Sequence, residues 1–317
     1  MNDTPLISVM IPVFNRADLL EDALQSVMCQ YDEKLMEVWV VDDCSTTDNP
    51  EEIVNRYPPQ SIKFYRQSQN VGQVRNLNKC IELANGTLIH ILHCDDMVLP
   101  GFYQAIMGGY SGHPEAGAFF TRNHTINHDG SLLCVSEPLQ EQSGYIPNWF
   151  VKIATAQLVQ TPSIVVKKEV YGKLGGFNQM LTWTEDWEMW VRISKIYPVY
   201  YINQVLAAYR EANNSNSANS FITGRFIGDL KKVIDENFRH HQSDAIKQQS
   251  TEIYSGYIID VITKMVKDRK INRKSVLKLL ATYRQNKFSY RLLLVFLYRT
   301  LIQSVKDILP GNRNSLM

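Results

Sequence analysis

L-I-S-V-M-I-P-V, residues Leu6 to Val13, is a near-continuous apolar run, and its reading decides the fold. Strict alternation would mark a strand with one wet face. An almost unbroken run instead suits a strand buried on both faces, as in parallel sheets covered by helices. Working outward, Asp18 to Gln30 places Leu19, Leu20, Ala23, Leu24, Val27 and Met28 on one helical face. Val38 to Val41 reads as a second strand, and Asn49 to Tyr57 as a short helix ended by Pro58-Pro59. Ile62 to Tyr65 is a third strand, Gln73 to Ala84 a helix closed by Asn85-Gly86, and Leu88 to Leu92 a fourth strand. Four strands separated by three helices predict a doubly wound α/β domain.

In open α/β sheets the ligand site lies beyond the carboxyl ends of the strands. Polar residues cluster at those ends. The first strand exits into Phe14-Asn15-Arg16, the second into Asp42-Asp43-Cys44-Ser45, and the fourth into His93-Cys94-Asp95-Asp96. They outline a pyrimidine-sized cleft of amides and carboxylates. No G-x-G-x-x-G follows the first strand and no G-x-x-x-x-G-K-[ST] occurs, which argues against a dinucleotide fold and a P-loop.

Adjacent carboxylates destabilise one another, so Asp95-Asp96 is expected to meet a cation or a set of donors. Mg²⁺ or Mn²⁺ completed by phosphate oxygens fits; an N-cap for the helix after Pro100 is the structural alternative. One acid of Asp42-Asp43 can cap the turn into Ser45-Thr46, or accept a hydrogen bond from the N3–H of uracil. An Asp-nucleophile phosphatase would want a second Asp two residues on, and position 44 is Cys. Zinc is disfavoured: His90 and His93 fall on opposite strand faces, and His124 and His128 lack partner spacing. In T-W-T-E-D-W-E-M-W-V-R-I, Thr182 to Ile193, Glu185-Asp186 sit among Trp183, Trp187 and Trp190. Asp186 can serve as a general base raised by partial burial, with aromatic faces to receive a sugar; first-turn acids over a tryptophan core are the alternative.

The net charge of +1 hides an asymmetry: from Lys264 onward there are 13 Lys/Arg and 2 acidic residues, leaving 20 and 30 before it. An acidic body carries a basic tail, whose partner is expected to be anionic. The tail's window Phe288 to Leu309 is the most apolar of the chain, yet its uncharged run, Leu292 to Tyr298, is too short to span a bilayer. Helices lying on an anionic membrane surface are one expectation; a helix packed on the α/β domain is the other. Five scattered cysteines without a C-x-x-C pair suit a reducing compartment. With no signal peptide evident, a cytoplasmic protein, peripheral on the inner face of the cell membrane, is expected.

Together these motifs resemble the inverting glycosyltransferases of family 2, whose nucleotide-diphospho-sugar transferase fold is usually called GT-A. The resemblance covers about Leu6 to Ser217 in five motifs: S-V-M-I-P-V-F-N-R, V-V-D-D-C-S-T-T-D, N-V-G-Q-V-R-N-L-N, L-H-C-D-D-M-V-L-P, and G-G-F-N with T-E-D-W-E-M-W-V-R. It implies an α/β, Rossmann-like, mostly parallel sheet with a C-terminal α-helical extension. Residues 1–222 would be catalytic, divided into a nucleotide-binding 1–100 and an acceptor-binding 101–222, and 223–317 would be the basic extension. Pro12, Val13, Phe14, Asn15, Asp42, Asp43, Asn70, Gly72, Arg75, Asp95 and Asp96 are implied on the donor side, with Asp95 ligating Mn²⁺ or Mg²⁺. Gly176, Trp183 and Trp187 are implied on the acceptor side, and Asp186 with Glu185 at the chemistry.

The implied reaction is transfer from a nucleoside diphosphate sugar, expected to be UDP-linked, to a glycan or lipid-linked acceptor in cell-envelope polysaccharide synthesis. No nucleic-acid partner is implied. Two departures stand out. His93 occupies the place where the first Asp of D-x-D is common, and Ala212 replaces the His of a closing Y-R-x-H-x-x-S-x-S pattern in Tyr209 to Ser217. They motivate a rival, a nucleotide-sugar-binding subunit without activity. A nucleotidyltransferase of the same topology would want a Gly-rich basic loop, which Phe14 to Asp18 is not.

Overall fold

A computed structural model describes residues 4–211, 216–238, 244–268, 271–291 and 293–294. The first hundred residues follow the expected alternation: β1 Ile7–Val13, α1 Ala17–Met28, β2 Met36–Asp42, α2 Pro50–Val54, β3 Lys63–Arg66, α3 Gln73–Leu83 and β4 Leu88–Ile91. β1 pairs in parallel with β2, from Ile7 opposite Met36 to Val13 opposite Asp42, and with β4 on its other side. β3 adds in parallel to β2, giving the order β3-β2-β1-β4. A central strand has no wet face, and Ile7, Val9, Met10 and Ile11 are fully buried.

The α3–β4 turn works differently from the expected helix cap. Gly86 does not have a positive φ; a Cβ there would lie 2.6 Å from Ser8 N, so glycine permits a close backbone approach. Glu37 ties this corner, accepting from Ser8 Oγ, Lys63 Nζ and Asn85 N. Burial pushes its carboxyl up, but these hydrogen bonds outweigh it and bring the pKa down to about 2.

The second half comprises β5 Met97–Val98, α4 Phe102–Gly112, β6 Ala118–Ile126, β7 Leu132–Val135, β8 Gly144–Tyr145, α5 Trp149–Thr155, β9 Ile164–Lys167, α6 Lys168–Leu174, α7 Glu185–Ser194 and β10 Val199–Arg210. β9 inserts antiparallel between β4 and β6, so the sheet is mixed beyond β4. β10 runs parallel to β6, and register shifts between Ile202 and Ala207 bend it toward β5. That bend carries Arg210 to the loop that follows β4.

The chain divides into two compact units, Met1–Ala218 and Asn219–Met317, with the boundary inside α8 Asn216–Thr223. The second unit is helical where described: α9 Arg225–Asn237, α10 Asp244–Lys267 and α11 Arg273–Gln285. Its core includes Phe226, Leu230, Ile234, Ile258, Ile262, Leu279 and Tyr283, all within 1% of complete burial. Among the described residues no helix is long and apolar enough to cross a membrane. Ala212 and most of the window from Phe288 to Leu309 lie outside the described residues.

Candidate active site

The loops after β1 and β2 are stitched together. Asn15 and Cys44 both adopt left-handed backbone, φ 54° and 62°. Asn15 Oδ1 accepts from the amides of Thr46 and Thr47, and Asn15 N donates to Ser45 Oγ. Asp42 is fully buried and caps this turn, with Oδ1 accepting from Ser45 N and Oγ at 3.0 and 2.6 Å. Arg66 Nη1 lies 3.2 Å from Asp42 Oδ2, close enough for an ion pair though not aligned as a hydrogen bond. Asp43 accepts from the amides of Val71 and Gly72, whose φ of +88° suits glycine. Burial pushes the Asp43 pKa up, against those hydrogen bonds. Both acids, 0% and 2% exposed, therefore build the shelf itself. Pro12 and Val13 end β1 beneath it, and the Phe14 ring is 41% exposed at its edge. Asn70 and Arg75 are exposed, and Arg75 Nε donates to Gln179 Oε1.

At the end of β4 the chain turns tightly, Asp96 N donating to His93 O. Asp96 is 1% exposed, and Asp95 is half-buried. Asp96 Oδ1 accepts from Arg210 N at 2.9 Å, while Oδ2 is buried with no hydrogen-bond partner among the described residues. Burial first, and then the neighbouring Asp95 charge, push the Asp96 pKa well above the carboxylate range. His93, Asp95 and Asp96 present ligand atoms within 4.8 Å of one another. Sequence reasoning keeps Asp95 alone as metal ligand and sets His93 aside, as a departure from D-x-D and on a strand alternation carried past Ile91, where β4 ends.

Two cations that sequence reasoning left unassigned answer the carboxylate pair. Arg16 Nη2 stands 4.0 Å from Asp95 Oδ2. Arg210, 3% exposed, donates from Nε to Asp95 O, from Nη1 to His128 O and from Nη2 to Asp22 Oδ2. The only sequence signal for Arg210 was its place in the closing Y-R pattern.

Asp186, partly buried at the start of α7, accepts from Gln157 Nε2 at 2.7 Å and from Thr161 Oγ1 at 3.4 Å. Burial raises its pKa to about 6, against hydrogen bonds from Trp187 N, Thr161 and Gln157. Glu185 is buried and accepts from Gln73 Nε2 of α3. Tyr209 joins the two acidic clusters: burial, then the charges of Asp96, Asp186 and Asp95, push its hydroxyl pKa up.

The acceptor side needs one correction. Trp187 is fully buried and its indole N–H donates to Ile153 O at 2.6 Å, so its faces pack in the core and offer no platform to a sugar. Trp190 is likewise buried, whereas Trp183 is half-buried. Gly176 is held tightly against α3: an added Cβ would fall 2.0 Å from Asn78 Oδ1, which accepts from Phe177 N. Arg192 fixes the same loop by donating to Leu174 O and Gly176 O. His90, within β4, is structural, with Nδ1 3.2 Å from Tyr103 Oη and Nε2 3.0 Å from Pro162 O. All five cysteines are free.

A family model described as Glycosyl transferase family 2 matches residues 8–171, half of the chain. An uncharacterized glycosyltransferase of Methanocaldococcus jannaschii is 26% identical over 218 residues, 68% of this chain and 73% of that protein. Hyaluronan synthase of Pasteurella multocida is 24% identical over 210 residues, 65% of this chain but 20% of the synthase. Among solved structures, S. aureus TarS in complex with UDP-GlcNAc aligns with a TM-score of 0.64 at 15% identity, covering 90% of this chain and 82% of that one. The mannosyltransferase of Pyrobaculum calidifontis in complex with GDP-Man and Mn²⁺ gives 0.59 at 17% identity, covering 96% and 88%. At these identities the two structures share the fold.

Proposed function

The chain belongs to glycosyl transferase family 2, and from that premise we propose that it is an inverting transferase using a nucleoside diphosphate sugar. The observation that carries this reading is Asp186, a partly buried carboxyl with a pKa near 6 that shares its neighbour Tyr209 with Asp95 and Asp96. A base tuned near the working pH combines a useful deprotonated fraction with proton affinity. Asp186 takes the proton from the acceptor hydroxyl as its oxygen attacks the sugar C1. The C1–O bond to the diphosphate breaks as the new bond forms, and one displacement inverts the anomeric centre. Glu185 and its Gln73 contact hold the start of α7 against α3.

On the donor side, Pro12 to Asn15 and the Asp42-Asp43 shelf would hold the base, and Asn70, Gly72, Arg75 and Arg16 would meet the diphosphate. The buried, unpartnered Asp96 Oδ2 beside half-buried Asp95 fits a divalent cation. Asp95 with Asp96 would hold Mn²⁺ or Mg²⁺, whose charge offsets that of the leaving diphosphate. A uridine-linked hexose or N-acetylhexosamine is favoured by the likeness to a fold that binds UDP-GlcNAc. The similarity to hyaluronan synthase supports a glycan acceptor, and a lipid-linked acceptor in envelope polysaccharide synthesis is the companion reading. The basic residues from Lys264 onward support attachment to an anionic membrane surface from the cytoplasmic side, and the half-buried Trp183 remains the aromatic candidate beside the acceptor.

Melting temperature across UDP-, GDP- and dTDP-sugars with Mn²⁺ tests the donor. A ligand at 100 times its Kd adds about 2.7 kcal/mol, so the true donor gives the largest shift. Slow release of nucleoside diphosphate from that donor separates an enzyme from the rival, an inactive binding subunit. No shift with any donor would refute the reading.

A further inference from the structure

His93 stands where the family pattern commonly has a carboxylate, and the structure brings it into the carboxylate pair. Its Nδ1 lies 4.0 Å from Asp96 Oδ2. That is too long for a hydrogen bond, yet two ligand bonds of about 2.0–2.2 Å to one ion can span it. His93 Nε2 and Asp96 Oδ2 are both buried with no hydrogen-bond partner among the described residues, and Asp96 is 1% exposed. Buried polar atoms are normally satisfied, so the orphaned Asp96 Oδ2, with His93 Nδ1 4.0 Å away, calls for an absent group between them, while the orphaned Nε2 is the imidazole's other nitrogen and points elsewhere. His90 shows the contrast: it sits three residues earlier, inside β4, and both its nitrogens have protein neighbours within hydrogen-bond distance. The arrangement is also held in place. Arg210 N occupies Asp96 Oδ1, which leaves Oδ2 toward His93, and Arg210 Nε holds the Asp95 carbonyl.

We propose that His93 is a ligand of the donor-site cation together with Asp95 and Asp96, and that the site therefore selects first-row transition ions over Mg²⁺. This rests on the metal-assisted reading above and deepens it. Imidazole nitrogen suits Mn²⁺ and the ions after it, whose affinities rise toward Cu²⁺, whereas Mg²⁺ prefers oxygen ligands. An Asp in this place would give an all-oxygen site and remove the discrimination.

Pulsed EPR of Mn²⁺ bound to the full chain, alone and with UDP or GDP, reads the ligand directly. A ¹⁴N coupling from coordinated imidazole is expected, and it should vanish in His93→Gln. Calorimetric titration with Co²⁺ and with Mg²⁺ gives the preference. His93→Asp should lower the Co²⁺-to-Mg²⁺ affinity ratio by at least the roughly tenfold that loss of an outer-shell partner costs. Bound Mn²⁺ without imidazole coupling in the unsubstituted chain overturns the proposal and leaves the metal-assisted reading standing. A coupling that persists in His93→Gln assigns another histidine and also overturns it. If Mn²⁺ does not bind with either nucleotide, both readings fall.

Discussion

Asp186→Asn separates the catalytic use of this carboxyl from its cost to the fold. Burial lifts the Asp186 pKa from 3.8 to about 6. At about 1.4 kcal/mol per pH unit, that difference corresponds to about 3 kcal/mol. A carboxyl raised on folding favours the folded state while protonated. Its contribution is complete below pH 4 and is lost as pH rises through about 6, so at neutral pH the charged form is the strained one. Asparagine cannot ionise, so Asp186→Asn gains stability above pH 6, with about 3 kcal/mol as the ceiling. Partial exposure screens the charge and lowers that figure. So does the amide, because Gln157 Nε2 now donates to Asp186 Oδ2 at 2.7 Å and an NH₂ there would set donor against donor. Activity moves the other way, by roughly 10²–10⁴-fold for loss of a general base. The assays are urea unfolding at pH 5 and 8, and initial rates of nucleoside diphosphate release from pH 4.5 to 8.5. Release should climb tenfold per unit below pH 6 and level off above it. A flat profile, or wild-type release by Asp186→Asn, would refute the proton-transfer role.

Arg210→Met leaves the half-exposed Asp22 carboxylate and the Asp95 and His128 carbonyls without this donor, and should cost about 1–3 kcal/mol in urea unfolding; an unchanged stability would mean that the network does not hold the Asp95-Asp96 turn. Gly176→Ala forces a Cβ to within 2.0 Å of Asn78 Oδ1 and should destabilise by about 1–3 kcal/mol, which an unchanged melting temperature would contradict. Trp187→Phe strands the Ile153 carbonyl, at about 1–3 kcal/mol, while the acceptor KM of the folded variant stays unchanged. A raised KM alone would return Trp187 to the acceptor site. For the tail, a chain cut near Asn272 would lose α11 with its buried Leu279 and Tyr283, so the comparison is better made with a chain ending at Leu294. The full chain should sediment with anionic liposomes and be released by high salt, and equal sedimentation of the shorter chain would count against a membrane role for the window from Phe288 to Leu309.

The amino-acid sequence by itself determined the first four strands, their intervening helices and the rim of polar residues beyond them. These are local properties. A buried strand needs a run of apolar side chains, a covering helix needs a 3.6-residue stripe, and both are written within about ten neighbouring residues. The place of Asp186 in the first turn of an amphipathic helix was legible for the same reason. What only the tertiary structure decided involves partners far apart in the chain. Arg210 meets Asp95 across 115 positions, and Asp43 meets Gly72 across 29. Strand alternation separates His93 from His90 but cannot register where β4 stops, and it is the chain beyond Ile91 that sets His93 Nδ1 4.0 Å from Asp96 Oδ2. Trp187 shows the converse limit: periodicity marks an aromatic stripe, but whether a ring faces a ligand or the core depends on what packs against it, here the Ile153 carbonyl of a distant helix.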